Sequence, residues 1–204
     1  MIDFDSKARE WDGNPVFVER GRKIAEAIRQ QVTLDRAMHA LDYGCGTGLL
    51  SFPLHDALGR ITLKDSSAGM LEVLREKIAA QGVNNMTVRQ ADLTAEPLPD
   101  ERYDLIYSSM TLHHIPDTDG ILRVFHDLLN PRGHLCIADL DREDGSFHGI
   151  DIDVHHGFDR AALTAQAERA GFAEVRFDTV FEIIKETEAG ARAYPVFLMV
   201  AKRR

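Results

Sequence analysis

The segment Leu41-Asp42-Tyr43-Gly44-Cys45-Gly46-Thr47-Gly48 sets three glycines at alternate positions behind a carboxylate. Glycine tolerates positive φ and lets a ligand approach the backbone closely. A turn of this kind, after a strand and before a helix, can therefore hold a small charged molecule. The spacing separates ligand classes. A dinucleotide pyrophosphate asks for G-x-G-x-x-G, whose last glycine is replaced here by Leu49. Asp42, two residues before the first glycine, sits badly beside a pyrophosphate and suits a cationic ammonium or sulfonium. Asp65, 23 residues after Asp42, ends the next expected strand, where a carboxylate can accept both hydroxyls of a ribose. Asp92 follows the third expected strand and is placed to receive the exocyclic amine of a purine. Singly, each reads more readily as a helix cap or a surface charge. Three at successive strand ends around one glycine turn describe a nucleoside site.

Proton acceptors come from nine histidines. His113-His114 follows the fourth expected strand. His148, Asp151, Asp153, His155 and His156 form a denser cluster further on. In an extended segment Asp151, Asp153 and His155 share one face, a pattern able to hold a divalent transition metal. No tight H-E-x-x-H pair is present, so the expectation is no metal. His155, His156 and His114 are the candidate proton acceptors or substrate contacts, with a solvated loop as the alternative. Cys45 and Cys136 lie in apolar surroundings and read as core thiols of a reducing compartment.

Positioning these groups requires alternating strands and helices. Apolar spacing predicts a helix over 16–32, a strand over 37–42, and a helix over 48–58 with Pro53 in its first turn or kinking it. A strand over 61–64 leads to Ser66 and Ser67, which cap a helix whose apolar face is Met70, Leu71, Leu74 and Ile78 and which stops at Gly82. Strands are expected over 86–90, 103–108 and 135–138, with a helix opening at Asp117 and a turn at Asn130-Pro131-Arg132-Gly133. Asp159 caps a helix ending at Gly171. Two strands over 175–184 and 194–202 close the chain as an antiparallel hairpin with a connection longer than a tight turn. The class is α/β, a parallel sheet with helices on both faces.

With 204 residues, 44% hydrophobic and 28% charged, the expected organisation is a single globular domain over 1–204, made of an N-terminal segment and helix (1–32) and a core (33–204). Lys and Arg number 24 against 33 Asp and Glu, a formal charge of −9, which suits nucleic acid poorly. The longest apolar stretch, 195–201, is far short of a membrane span. Without an apolar leader at its start, the chain is expected in the cytoplasm.

The stretches LDYGCGTG, ITLKDSSAGMLEVLREK, RQADLTAEPLPDERYDLIYSSMTLHHIPD, LLNPRGHLCIAD and ERAGFAEVRF, in this order, resemble those of class I S-adenosylmethionine-dependent methyltransferases of the small-molecule type, over residues 4–202. The resemblance implies a Rossmann-like seven-stranded sheet, order 3-2-1-4-5-7-6 with strand 7 antiparallel. It also implies S-adenosylmethionine as cofactor. Gly44, Cys45, Gly46 and Gly48 would underlie its methionine and ribose parts, with Asp42 near the amino-acid end. Asp65 and Ser66 would serve the ribose hydroxyls, Asp92 and the Leu93 backbone the adenine, and the Ser108 carbonyl the ammonium. In this family His113-His114 is commonly structural, and the segment 4–11 often folds over the cofactor, making Phe4 and Trp11 candidate lid residues. Packing of both onto the first helix is the alternative.

Methyl transfer from a sulfonium is an in-line displacement that needs alignment more than a general base. Ser108-Ser109-Met110-Thr111 stands where exocyclic-amine and glutamine methyltransferases carry [DN]-P-P-[YFW]. A small-molecule acceptor is therefore expected, with no nucleic acid and no membrane as partner. A non-catalytic protein binding S-adenosylmethionine or a partner on the same fold is the alternative. A nicotinamide oxidoreductase is disfavoured by Leu49 and Asp42.

Overall fold

Seven strands form one sheet in the order β3-β2-β1-β4-β5-β7-β6 in a computed structural model that describes residues 3–94, 100–149, 152–187 and 190–204. They are β1 (His39–Tyr43), β2 (Arg60–Asp65), β3 (Met86–Gln90), β4 (Tyr103–Ser109), β5 (Leu129–Leu140), β6 (Phe172–Thr187) and β7 (Gly190–Arg203). The first five run parallel, and β7 lies antiparallel between β5 and β6. The helices are α1 (Phe4–Lys7), α2 (Pro15–Gln31), α3 (Ala68–Gln81), α4 (Thr118–Leu128) and α5 (Arg160–Arg169).

Both sheet faces are covered. Leu105 and Tyr107 of β4 face one layer with Ile24 and Ile28 of α2 and Leu71 and Leu74 of α3. Ile106, between them, faces the other layer with Leu122 and Phe125 of α4 and Leu163 of α5. Alternate residues of an unbroken apolar strand thus feed two separate cores, as a doubly covered parallel sheet requires. The caps follow the side-chain chemistry: Asn14, Ser67, Asp117 and Asp159 accept from the first-turn N–H groups of Val16, Met70, Gly120 and Ala162. Gly82 ends α3 in the left-handed conformation.

Three elements differ from expectation. Residues 48–58 form no α-helix. Only Phe52 N–H reaches four residues back, to Gly48; Leu54 and Ala57 bond three residues back, and a 3-10 turn closes the segment at His55–Ala57. Pro53 has no N–H with which to extend the ladder. The residues expected as a turn at 130–133 lie within β5. There the pairing jumps from Tyr103↔Leu129 to Leu105↔His134, with Arg132 at positive φ, so a bulge takes the place of the turn. β6 and β7 pair out to Thr187↔Gly190, so their connection is short rather than long. Lys185, Glu186 and Arg192 occupy this outer ribbon, which lacks the apolar alternation that marks a strand. Among the described residues no helix is long and apolar enough to cross a membrane.

Candidate active site

The glycine turn leaves β1 at the carboxyl edge of the sheet, and its Gly44 and Cys45 N–H groups both donate to the Lys64 carbonyl of β2, at 2.8 and 3.1 Å. Gly44 (φ +71°) has no room for a side chain, since a Cβ would lie 2.3 Å from Thr111 Oγ1 of the loop after β4. Gly46 (φ +51°) is the opposite case: a Cβ there would meet nothing within 4 Å, so open space lies over its backbone. Gly48 N–H closes the turn on the Cys45 carbonyl at 2.8 Å. Burial pushes the Cys45 thiol well up and the Cys136 thiol to about 12, so neither is a nucleophile.

Asp65 spans the mouth of the turn. Its Oδ2 accepts from Gly46 N–H at 2.8 Å and its Oδ1 from Ser67 N–H at 2.9 Å. Burial raises its pKa while these bonds pull it back. A carboxylate has about four acceptor positions, more than these backbone donors fill. Ser66 beside it is exposed, its carbonyl accepting from Gln90 Nε2. Asp92 Oδ1 accepts from Thr94 N–H at 2.9 Å and Thr94 Oγ1 at 2.6 Å. Leu93 lines a cleft of about 350 Å³ together with Thr94, Ile115, Pro116 and Val124. Ser108 Oγ donates to the Tyr43 carbonyl at 2.7 Å, tying β4 to β1. Asp42 sits beneath the turn, 1% exposed. Its Oδ2 accepts from Ser51 Oγ at 2.7 Å, which in turn meets Tyr107 Oη at 2.6 Å. Burial pushes its carboxyl to about 7, with Ser51 lowering it and the Asp65 charge raising it further.

The N-terminal segment crosses this edge and is fastened to it. Asp5 accepts from Ser67 Oγ at 2.5 Å and Gly69 N–H at 2.9 Å. Asp12 accepts from Thr47 Oγ1 and from Lys77 Nζ, both at 2.5 Å, and Lys77 also reaches the Thr47 carbonyl. Phe4 meets the ring of His114 edge-on, with centroids 5.4 Å apart, while Trp11 stacks on Phe17 of α2 at 4.6 Å. Phe4 therefore reaches the loop after β4, and Trp11 packs the helix.

The sequence reading passed over Arg20. It is 8% exposed, lies over the Phe17 ring, and precedes Gly21, whose Cα faces the Leu49 carbonyl of the glycine turn. Desolvation lowers its pKa to about 10 and the charge of Asp139 counters this. Among the described residues its guanidinium makes no hydrogen bond. The available signal was a lone arginine on the otherwise apolar face of a helix.

The histidines divide into two groups. His155 Nε2 bonds the Ile115 carbonyl at 2.9 Å and lies 3.3 Å from Thr118 Oγ1, against the start of α4. His155 and His156 border a depression of about 390 Å³ beside α5. Asp153 is exposed, and Asp151 lies outside the described residues. The structure brings His148 instead to His113 and His114, their Nε2 atoms (His148 and His113) 3.0 Å apart. Burial and neighbouring histidines push His114 down to about 3 and His148 to about 4, so both rings are neutral near neutral pH. His113 Nδ1 is 2.7 Å from Oδ1 of the fully buried Asp139. Burial would raise that carboxyl, but His113 and backbone N–H donors hold it below its ordinary value.

Comparison with known proteins gives the family of the chain. The family described as "Methyltransferase domain" matches residues 34–154. Aklanonic acid methyltransferase DauC of Streptomyces sp. (strain C5) is 28% identical over 140 residues, 66% of this chain and 62% of that protein. Ubiquinone/menaquinone biosynthesis C-methyltransferase UbiE of Shewanella sp. (strain W3-18-1) is 33% identical over 109 residues, 52% of this chain and 43% of that protein. The chain thus spans about half the length of the curated relatives it matches. A SAM-dependent methyltransferase from Aquifex aeolicus has the same fold, at TM-score 0.68 and 21% identity, covering 98% of this chain and 99% of that one. The residues present fit such a cofactor: open space over the Gly46 backbone, the Asp65 carboxylate at the mouth of the turn, and the Arg20 guanidinium with no carboxylate bonded to it among the described residues. The chain belongs to the methyltransferase domain family, on the class I fold whose methyl donor is S-adenosylmethionine.

Proposed function

We propose that this protein transfers a methyl group from S-adenosylmethionine to a small-molecule acceptor. The observation that carries the reading is the N-terminal segment, fastened by Asp5 to the start of α3 and by Asp12 to Thr47 of the glycine turn and to Lys77, a position beside the site that suits a compact acceptor. The relatives point the same way, since aklanonic acid and the quinones of their names are small molecules. Two buried free thiols suit a cytoplasmic enzyme. The charge of −9 argues against nucleic acid as substrate.

In this reading the Gly44–Gly48 backbone, Asp65, Ser66, Asp92, Leu93 and Ser108 hold the cofactor, and Arg20 receives its carboxylate. The cofactor supplies a methyl group already activated on a sulfonium. Asp65 orients the ribose through its carboxylate. Phe4 and the loop after β4 exclude water from the reacting side. His114, neutral and beside Phe4, borders that side, and its low basicity suits contact with the acceptor rather than proton removal. His155 and His156 serve the neighbouring depression.

An acceptor screen with S-adenosylhomocysteine release as readout tests the reading. Turnover with a phenolic, enolic or amine metabolite is the expected result. Release from none of these classes, with cofactor binding intact, would favour the non-catalytic binding protein.

A further inference from the structure

We propose that His113, His114 and His148 form a binding site for one divalent transition metal ion, of the zinc or cobalt type. Three imidazoles from two segments of the chain converge here, and one ligating nitrogen of each lies within 4.8 Å of the others. The ring centroids are 4.1 Å apart for His113 and His114, 4.9 Å for His113 and His148, and 5.5 Å for His114 and His148. Nitrogens bound to one tetrahedral ion at about 2.0–2.1 Å stand about 3.3 Å from each other. The 3.0 Å between His113 Nε2 and His148 Nε2 is within a few tenths of that spacing. An all-imidazole set without carboxylate or thiolate selects zinc and its neighbours over magnesium or calcium.

One ligand is already oriented. Asp139 Oδ1 lies 2.7 Å from His113 Nδ1, and Oδ2 accepts the His113 backbone N–H at 3.2 Å. The carboxylate accepts a hydrogen bond from Nδ1–H, which keeps the proton on Nδ1 and leaves the lone pair on Nε2, facing His148. A carboxylate behind a histidine is the usual outer support of a metal ligand, fixing tautomer and ring plane. It also places one buried negative charge behind the ion. His114 and His148 are only partly buried, which leaves an approach from solvent.

Three protein ligands leave the fourth position of a tetrahedral ion vacant. Phe4 flanks His114 and Phe147 flanks His148, at centroid distances of 5.4 and 4.7 Å. The vacant position is thus bordered by the N-terminal segment and the loop after β5. On the methyltransferase reading it lies on the acceptor side, where an oxygen of the acceptor could bind the ion and lose its proton to water at lower pH. That role rests on the proposed function; the metal site itself does not.

Tag-free protein, stripped by a chelator and titrated with cobalt(II), tests the site. The expected result is one equivalent bound with visible d–d absorption, displaced by zinc and not by magnesium. His148→Ala and His114→Ala should each weaken binding by at least about 100-fold, and Asp139→Asn by about 10–100-fold. The circular dichroism spectrum and melting temperature of each metal-free variant check that it still folds, and a thermal shift with S-adenosylhomocysteine on the same samples reads the cofactor site separately. Substoichiometric cobalt, equal affinity in the parent and both histidine variants, or loss of binding in His156→Ala instead, would overturn the site. If cobalt binds as expected while S-adenosylhomocysteine gives no shift, the methyltransferase reading fails and the metal site stands.

Discussion

A charge on the buried face of a helix is the most informative single residue of this protein. Arg20 is 8% exposed, lies over the Phe17 ring and makes no hydrogen bond among the described residues; since no buried side-chain nitrogen among them lacks a partner, its guanidinium still reaches water, which a carboxylate ligand would replace with a charge-assisted bond. Arg20→Met should weaken S-adenosylmethionine about 10–100-fold by calorimetry, the loss of a charge-assisted bond of about 1.5–3 kcal/mol. 5′-Methylthioadenosine, which lacks the amino-acid part, should bind the variant and the parent alike. Asp65→Ala should cost about 1.5–3 kcal/mol against both ligands, since both carry the ribose. Asp42 makes a prediction about pH. Its folded pKa of about 7 exceeds the unfolded value of about 3.9, so the folded protein binds the extra proton and stability falls as pH rises from about 4 to about 7. Asp42→Asn carries no such loss. Its melting temperature relative to the parent should rise between about pH 5 and about pH 8; a constant difference would show that Asp42 does not titrate there. The strand-end carboxylates and the glycines were legible because turn chemistry is local in sequence. The meeting of His148 with His113 was not, since 35 positions separate them and only β5 and its loop bring them together. Arg20 escaped because a helical pattern reports which face is buried, not whether a charge on it has found a partner.

The N-terminal segment is held by polar contacts alone at two of its fastening points, so it can come undone while the sheet stays folded. Asp12 and Lys77 are about a third and a fifth exposed, at 34% and 22%, and the pair contributes about 0.5–1 kcal/mol after solvent screening. Asp12→Ala should leave the melting temperature nearly unchanged. It should speed proteolytic cleavage within residues 4–13 and raise the S-adenosylmethionine dissociation rate. Unaltered cleavage and dissociation would assign the segment a purely structural role. Helices α3, α4 and α5 were legible to within a residue or two, because Ser67, Asp117, Asp159 and Gly82 announce their ends. The stretch after the glycine turn was not. Its apolar residues, such as Leu50, Leu54 and Leu58, reach the core from successive turns, so helical spacing survived where the helical hydrogen bonds did not.

At the scale of the molecule, one sheet carries the whole site along one edge, and a ligand bound there stabilises everything that the sheet holds together. S-adenosylhomocysteine at about 100 times its Kd should add about 2.7 kcal/mol. For a chain of this length that is a rise in melting temperature of about 5–11 °C. NADH should give none, and a shift with NADH instead would contradict the glycine spacing. The sheet order has a further consequence for how the protein is made. β7 follows β6 in the chain yet lies between β6 and β5. During synthesis β5 therefore emerges with its neighbour on one side not yet made, and β6 is produced before the strand that will join it to the rest. Sequence separation makes such pairings slow to form and leaves strand edges open while they wait. The nascent chain is thus most prone to aggregate in the interval between the emergence of β5 and the insertion of β7, and a chaperone that shields strand edges would act there.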